Sequence, residues 1–288
     1  MDIRTVGIVG AGQMGNGIAH VFALAGYDVT MSDISQAALD RAMATIGRNL
    51  DRQLARGRIT EADRAAALAR IRTTLTLAEL GPSDLIIEAA TEKEEVKNAI
   101  FAGLLPHLAP HTILTSNTSS IPIAELAGAT SNPDRVCGLH FFSPVPVMRL
   151  VEVVIALDTS EATEAQAFAL AAQMGKQPIR TKDRSGFVVN MLLIPYLMAA
   201  IRMLEEGFAS REDIDVGMQL GCGHPMGPLT LCDMIGLDVL YAVGTSLFDE
   251  FKRDEYAPPP LLKRMLAANR LGRKSGRGFY EYEPAPAG

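Results

Sequence analysis

The chain predicts a doubly wound α/β domain followed by an all-α one, and three observations carry that reading. Short apolar runs alternate with helical patterns through the first half. A glycine-rich turn joins the first of these runs to the first helix. Beyond Asp183 only helical periodicity remains. A length of 288 residues suits two domains, expected at 1–184 and 185–288 with Ser185-Gly186 at the boundary, since a domain takes roughly 100–200 residues.

The turn is the most informative stretch. Val6 to Val9 reads as a buried strand, and Ile18, Ala19, Val21 and Phe22 open a helical apolar pattern. Between them Gly10, Gly12 and Gly15 fall in the G-x-G-x-x-G spacing. The first glycine allows the tight turn, the second lets backbone approach a pyrophosphate, and the third lets helix pack on strand. Gln13 and Met14, between the second and third, are assigned to the cofactor with them. A second strand, Tyr27 to Met31, ends in Ser32-Asp33. Asp33 stands where a carboxylate accepts hydrogen bonds from an adenosine ribose. It would repel a 2′-phosphate, and no arginine follows until Arg41, so NAD is expected rather than NADP. The sheet is therefore expected to be Rossmann-type.

From about Ser35 to Ile71 the pattern is helical, broken at Gly57, with Thr60 placed to cap a second helix. This predicts a helical hairpin inserted in the sheet order. Arg41, Arg48, Arg52 and Arg56, spaced seven, four and four, share a helix face. That face is either solvated or a dock for a phosphate-bearing ligand. Strands are expected at Asp84 to Ala90, Thr112 to Thr115, Val136 to Phe142, Leu150 to Ala156 and Pro178 to Thr181. Helices are expected at Glu94 to Leu108 and Ser160 to Met174. Ligands of doubly wound sheets bind beyond the carboxyl ends of the strands. Gly10 to Gly15, Asp33, Glu92, Asn117 to Ser120 and His140 all fall at such ends. The second half predicts helices at Phe187 to Glu206, Arg211 to Leu220, Pro228 to Phe251 and Leu261 to Ala268.

Composition excludes several classes. A net charge of −6 does not suit a general nucleic-acid binder. Cys137, Cys222 and Cys232 are few, odd in number and not in metal-ligand pairs, which suits buried thiols in a reducing cytoplasm and no metal. The N-terminus leads straight into the first strand, leaving no room for a signal peptide. Val188 to Leu204 is apolar but contains Asn190, Pro195 and Arg202, and reads as a core helix rather than a membrane span.

Glu152 interrupts an apolar strand, where an unpaired carboxylate would cost roughly 2–5 kcal/mol. It should have a partner. His140 lies six residues before Pro146 and Glu152 six after it, so a reversal centred there sets them side by side. A carboxylate beside an imidazole fixes its tautomer and favours the protonated ring. A base that takes a proton from an alcohol as a hydride departs needs that. The other readings are a core histidine bonded to backbone and a carboxylate facing solvent from an edge strand. His20, His107 and His111 have no acidic partner at motif spacing, His224 fits a turn with Pro225, and Cys137 has nothing to activate it.

These residues carry a resemblance. Gly10-x-Gly12-x-x-Gly15-x-Gly17, Ser116 to Ser120, Gly138 to Phe142 with Pro144-Val145-Pro146-x-Met148, Val151-Glu152 and Gly186 to Asn190 resemble the 3-hydroxyacyl-CoA dehydrogenase family. The likeness is nearest its stand-alone bacterial 3-hydroxybutyryl-CoA type. It continues through Gly223-x-Pro225-Met226-Gly227-Pro228, Asp233-x-x-Gly236-Leu237-Asp238 and Gly272 to Tyr280, and so covers nearly the whole chain. It implies reversible NAD-dependent oxidation of an (S)-3-hydroxyacyl-CoA to the 3-oxoacyl-CoA. It also implies His140 as general base, Glu152 as its orienting carboxylate, and Ser119 and Asn190 as hydrogen-bond partners of the substrate oxygen. Glu92, Lys97 and Lys274 match cofactor-contacting positions, although Glu92 and Lys97 also read as a solvated pair. Asn117 and Ser143 join the cofactor set. The family usually has Asn where Ser143 stands, which puts one nicotinamide contact in doubt.

The acyl-CoA phosphates are then expected on Arg48, Arg52 and Arg56, with a homodimer through the second domain. Apolar candidates for that face are Leu192, Leu193, Tyr196, Leu197, Met203, Leu240, Tyr241 and Leu247. Two rival readings remain: a related dehydrogenase of a non-CoA hydroxy acid, carnitine- or gulonate-type, and a non-catalytic NAD-binding protein.

Overall fold

The computed structural model describes residues 3–283. The chain divides into two units, Met1–Arg184 and Ser185–Gly288. The first is built on strands β1 (Thr5–Val9), β2 (Asp28–Ser32), β3 (Ile71–Thr74), β4 (Leu85–Glu88), β5 (Ile113–Ser116), β6 (Val136–Phe141), β7 (Leu150–Ile155) and β8 (Gln177–Lys182). Its helices are α1 (Gln13–Leu24), α2 (Gln36–Ala55), α3 (Glu61–Ala69), α4 (Glu94–Leu104), α5 (Ile123–Gly128) and α6 (Glu161–Gln173).

The eight strands form one sheet in the order β3-β2-β1-β4-β5-β6-β7-β8. The order reverses at β1, so β1 and β4 flank the switch point where such sheets take their ligands. Every pairing is parallel except that of β6 with β7. The central strands β4, β5 and β6 are buried along their length, as continuous apolar runs require. The edge strand β8 is half exposed and carries Pro178, which suits an edge that must not recruit another strand.

The helical hairpin forms as its sequence dictates. Ser35 caps α2 by accepting from the Ala38 N–H, and Leu39, Ala42, Ile46 and Leu50 bury one stripe. Gly57 turns the chain at φ +65°. Thr60 and Asp63 then form a reciprocal capping box on α3. β3 is the strand that sequence reading misses: Ile71-Arg72-Thr73-Thr74 is short and polar, and its pairing with β2 makes it a strand. The short helix α5 is likewise unexpected; its first N–H groups donate to the Asp183 carboxylate.

The second unit contains α7 (Val189–Glu205), α8 (Arg211–Cys222), α9 (Pro228–Ile235), α10 (Leu237–Phe251) and α11 (Pro260–Ala267). The single helix expected over Pro228 to Phe251 is two, bent by 97° at Gly236, whose φ of +103° no helix accommodates. Two buried aspartates pin this unit together. Asp215 accepts from the Leu229 and Thr230 N–H groups, and Asp233 from those of Phe279 and Tyr280. A Cβ on Gly227 would stand 2.3 Å from Asp215, and one on Gly278 1.9 Å from Asp233. The glycine and aspartate motifs of this half are therefore packing devices.

Two expectations need correction. Leu197, Leu240 and Leu247 are wholly buried in the unit's own core and offer nothing to a partner, whereas Leu192 is 72% exposed. Cys222 is exposed, because it ends α8; Cys137 and Cys232 are buried. Among the described residues no single helix is long and apolar enough to cross a membrane.

His20 lies within α1 at 1% exposure. Burial, with the Lys176 ammonium adding to it and a Gln53 hydrogen bond opposing, draws its pKa down to about 4 from 6.5. The folded state thus resists protonation that the unfolded chain accepts. This contribution to stability is complete above pH 6.5 and is lost as pH falls toward 4, by about 3 kcal/mol in all. A His20→Leu variant should therefore lose less stability than the parent across that window, measured as urea midpoints at successive pH values.

Candidate active site

The glycine turn follows β1 directly. Gly10 has φ +101°, and a Cβ there would lie 2.6 Å from the Ala89 carbonyl oxygen. A Cβ on Gly15 would stand 1.8 Å from the Gly10 oxygen, so helix and turn touch only because it has none. Gly12 differs: nothing lies within 4 Å of where its Cβ would be. Packing does not demand glycine at that point; close approach of a ligand does. The first turn of α1 carries no acidic residue and no side-chain cap, which leaves its N–H groups to an anion. Asp33 accepts from the Ala11 N–H at 2.8 Å and the Ser35 N–H at 3.0 Å. These residues fit NAD, with the pyrophosphate on the turn and the ribose on Asp33.

β6 runs up to the same end of the sheet and β7 runs back. Their register sets His140 directly opposite Glu152. Both side chains are buried, Glu152 completely, and His140 Nδ1 lies 2.6 Å from Glu152 Oε2. Nδ1–H donates to the carboxylate, which puts the ring's lone pair on Nε2. The Phe142 ring lies 4.6 Å from the imidazole, centre to centre. The expected reversal around Pro146 thus does bring imidazole and carboxylate together.

The reversal is itself tied down. Val145 packs against Gly17, where a Cβ would come within 2.9 Å of it. The Lys176 ammonium donates to the Val145 and Met148 carbonyls. At the start of the loop Ser143 Oγ accepts from the Gln13 side-chain amide at 2.8 Å, so two residues expected at the cofactor bond each other. Asn117 Oδ1 accepts from the Phe141 N–H at 2.9 Å, which joins the end of β5 to the strand that carries His140.

A second charged cluster lies beside this one. Glu92 Oε1 accepts from the Ser119 N–H at 2.6 Å, the Ser119 hydroxyl at 3.0 Å and the Thr118 hydroxyl at 2.7 Å. Burial opposes ionisation of Glu92, but the Lys97 charge and these hydrogen bonds outweigh it and lower its pKa. Lys97 is 1% exposed, so it and Glu92 are not a solvated pair. The Lys97 ammonium contacts Glu88, with Glu92 Oε2 at 3.5 Å and Ser116 Oγ at 3.3 Å.

Glu88, fully buried at the end of β4, is absent from the sequence reading. It accepts from the Ser116 hydroxyl and the Ala90 N–H as well as from Lys97. Its signal is the one that Glu152 gives, a carboxylate inside an apolar strand.

Asn190 is the second residue of α7, and Lys274 pairs with Asp238 at 2.5 Å; both belong to the second unit. Arg41, Arg48, Arg52 and Arg56 are exposed and, among the described residues, pair with no carboxylate. Arg48 and Arg52 bond only their own helix, through Thr45 and Asn49. Cys137 is buried, and its thiol is pushed up to about 12, which makes it inert as a nucleophile.

A nucleotide cradle at the switch point, with a carboxylate-held imidazole at the ends of neighbouring strands, defines an NAD-dependent oxidoreductase of the doubly wound class. The chain belongs to the 3-hydroxyacyl-CoA dehydrogenase family. The model of that family's NAD binding domain matches residues 5–184, and that of its C-terminal domain residues 186–282. A 3-hydroxybutyryl-CoA dehydrogenase of Mycobacterium tuberculosis is 51% identical over 97% of this chain and 99% of its own. Among solved structures, M. tuberculosis FadB2 matches with a TM-score of 0.96 at 50% identity, over 98% of this chain and 100% of that one. (S)-3-hydroxybutyryl-CoA dehydrogenase PaaH1 from Ralstonia eutropha matches with a TM-score of 0.94, at the same identity and coverage.

Removing the Lys97 charge while Glu88 stays buried leaves a carboxylate without compensation. Lys97→Met should cost about 3–5 kcal/mol, and the double variant with Glu88→Gln should recover most of it, read from urea unfolding.

Proposed function

We propose that the protein catalyses the reversible NAD-dependent oxidation of (S)-3-hydroxyacyl-CoA thioesters, with 3-hydroxybutyryl-CoA as substrate, and that His140 is the general base. The observation that carries this is the buried 2.6 Å contact between His140 Nδ1 and Glu152 at the end of β6. Bound NAD supplies the hydride acceptor for C3 of the substrate. The His140 Nε2 lone pair takes the 3-hydroxyl proton, and Glu152 holds the ring's orientation and offsets the imidazolium charge that results. Ser119 hydrogen-bonds the substrate oxygen: its N–H stays on Glu92 and holds the residue in place, while its hydroxyl proton turns from Glu92 to the substrate oxygen. Asn190 serves the same oxygen. Gly10, Gly12, Gly15, Gln13, Met14 and Asp33 hold the dinucleotide, and Asn117, Ser143 and Lys274 complete its site. In this reading Glu92 and Lys97 order the loop beside it. The names of the relatives support the four-carbon acyl group, and three free cysteines support a cytoplasmic location.

His140→Gln should lower kcat by about 10²–10⁴-fold with little change in NAD affinity. Glu152→Gln should lower it too, and NADH formation from 3-hydroxybutyryl-CoA is the readout. Free 3-hydroxybutyrate should be a poor substrate in the same assay; equal turnover of acid and thioester would refute the CoA reading.

The arginines of α2 are the dock for the CoA phosphates. Their exposure and lack of acidic partners support this. Replacing Arg52 and Arg56 by Ala should raise KM for the CoA substrate about tenfold and leave NAD affinity unchanged.

The second unit is also the dimer contact of a homodimer. Leu192, Phe208 and Leu220 support this, at 72%, 78% and 83% exposure. Sedimentation should give twice the 30.9 kDa chain mass at micromolar concentration, and a lone chain would refute it.

A further inference from the structure

In the first unit, a cavity of about 350 Å³ opens among α1, α2, the loop before β7 and the turn after α6. Its size falls at the small end of the roughly 300–1,000 Å³ range of ligand sites. His20, Gln53, Arg149, Gln173 and Lys176 supply its charged and hydrogen-bonding side chains, and among the described residues no aspartate or glutamate lines it. Val21, Leu24, Pro146, Val147 and Met174 supply apolar wall.

One lining group is incomplete. His20 is 1% exposed, and among the described residues its Nδ1 has no hydrogen-bond partner. Its other ring nitrogen lies 3.0 Å from the Gln53 side-chain nitrogen. As assigned, the Gln53 amide donates to Nε2, so Nε2 accepts and the ring proton sits on Nδ1. A buried N–H donor without an acceptor destabilises the fold, so a site that keeps one has a use for it.

The neighbours define that use. Lys176 spends two of its ammonium hydrogens on the Val145 and Met148 carbonyls and keeps a third. Arg149 is exposed. Two cations and one neutral N–H donor match a dianion with three terminal oxygens, and the apolar wall matches a short carbon group attached to it. We propose that this cavity binds a small phosphate monoester through His20, Lys176 and Arg149. It is distinct from the glycine turn and from the α2 arginines, which the proposed function already uses.

The test is calorimetric titration of the full chain, saturated with NADH, with n-propyl phosphate. Binding should be detectable at about millimolar concentration and should weaken at least about tenfold in Arg149→Gln and in Lys176→Gln. It should be unchanged when Arg48, Arg52 and Arg56 are all replaced by Gln. Arg149 lies at the surface, so its variant keeps the test valid should loss of Lys176 disturb the loop. ¹H–¹⁵N spectra should show His20 protonated on Nδ1, with that resonance moving on titration. No heat at about ten-millimolar ligand would overturn the proposal. So would binding that persists in both variants, or a His20 ring carrying its proton on Nε2, where water alone completes the site.

Discussion

The contact between His140 and Glu152 is a constraint on the whole sheet. A carboxylate with no exposed surface is tolerable only beside a group that donates to it, and for Glu152 that group is His140 on the neighbouring strand. The antiparallel pairing of β6 and β7, in a sheet where every other pairing is parallel, sets the two side by side, and a shift of register would part them. The imidazole is thereby delivered to the end of the sheet where the nucleotide turn lies. Fold and chemistry here depend on the same hydrogen bond.

The Glu88–Lys97–Glu92 cluster repeats that logic two strands away, at the end of β4. Taking Glu88 and Lys97 out of water is costly, and replacing such a buried pair with apolar side chains often stabilises a protein. What the charges supply is position. Glu92 accepts from four groups on three successive residues, Thr118, Ser119 and Ser120, and so fixes the loop that carries the Ser119 hydroxyl. Asp215 and Asp233 perform a related task in the second unit, where each ties the backbone of distant segments together.

Much of this was legible in the sequence because its signals are local or nearly so. The glycine turn, the arginine face of α2 and the helix cap at Thr60 each depend on a few adjacent residues. The pairing of His140 with Glu152 was legible because a short loop joins their strands. Glu88 and Lys97 carry a weaker signal, since their environment is made by β5 and the Ser119 loop, which join β4 only in three dimensions. β3 depends wholly on its neighbour β2, and its own four residues could not announce it. Gly236 hid because the apolar pattern runs through it unbroken and only its backbone angle divides the two helices.

The segment from Phe142 to Arg149 would pass for an ordinary surface connection, the kind that accepts insertions and deletions freely. Its length is instead a measured spacer. Side chains alternate faces along a strand, so a one-residue slip of β7 against β6 would turn Glu152 to the other side of the sheet. Lineages that vary this connection must therefore change it together with both strands or leave its length alone, and homologous loops here should differ in composition long before they differ in residue count.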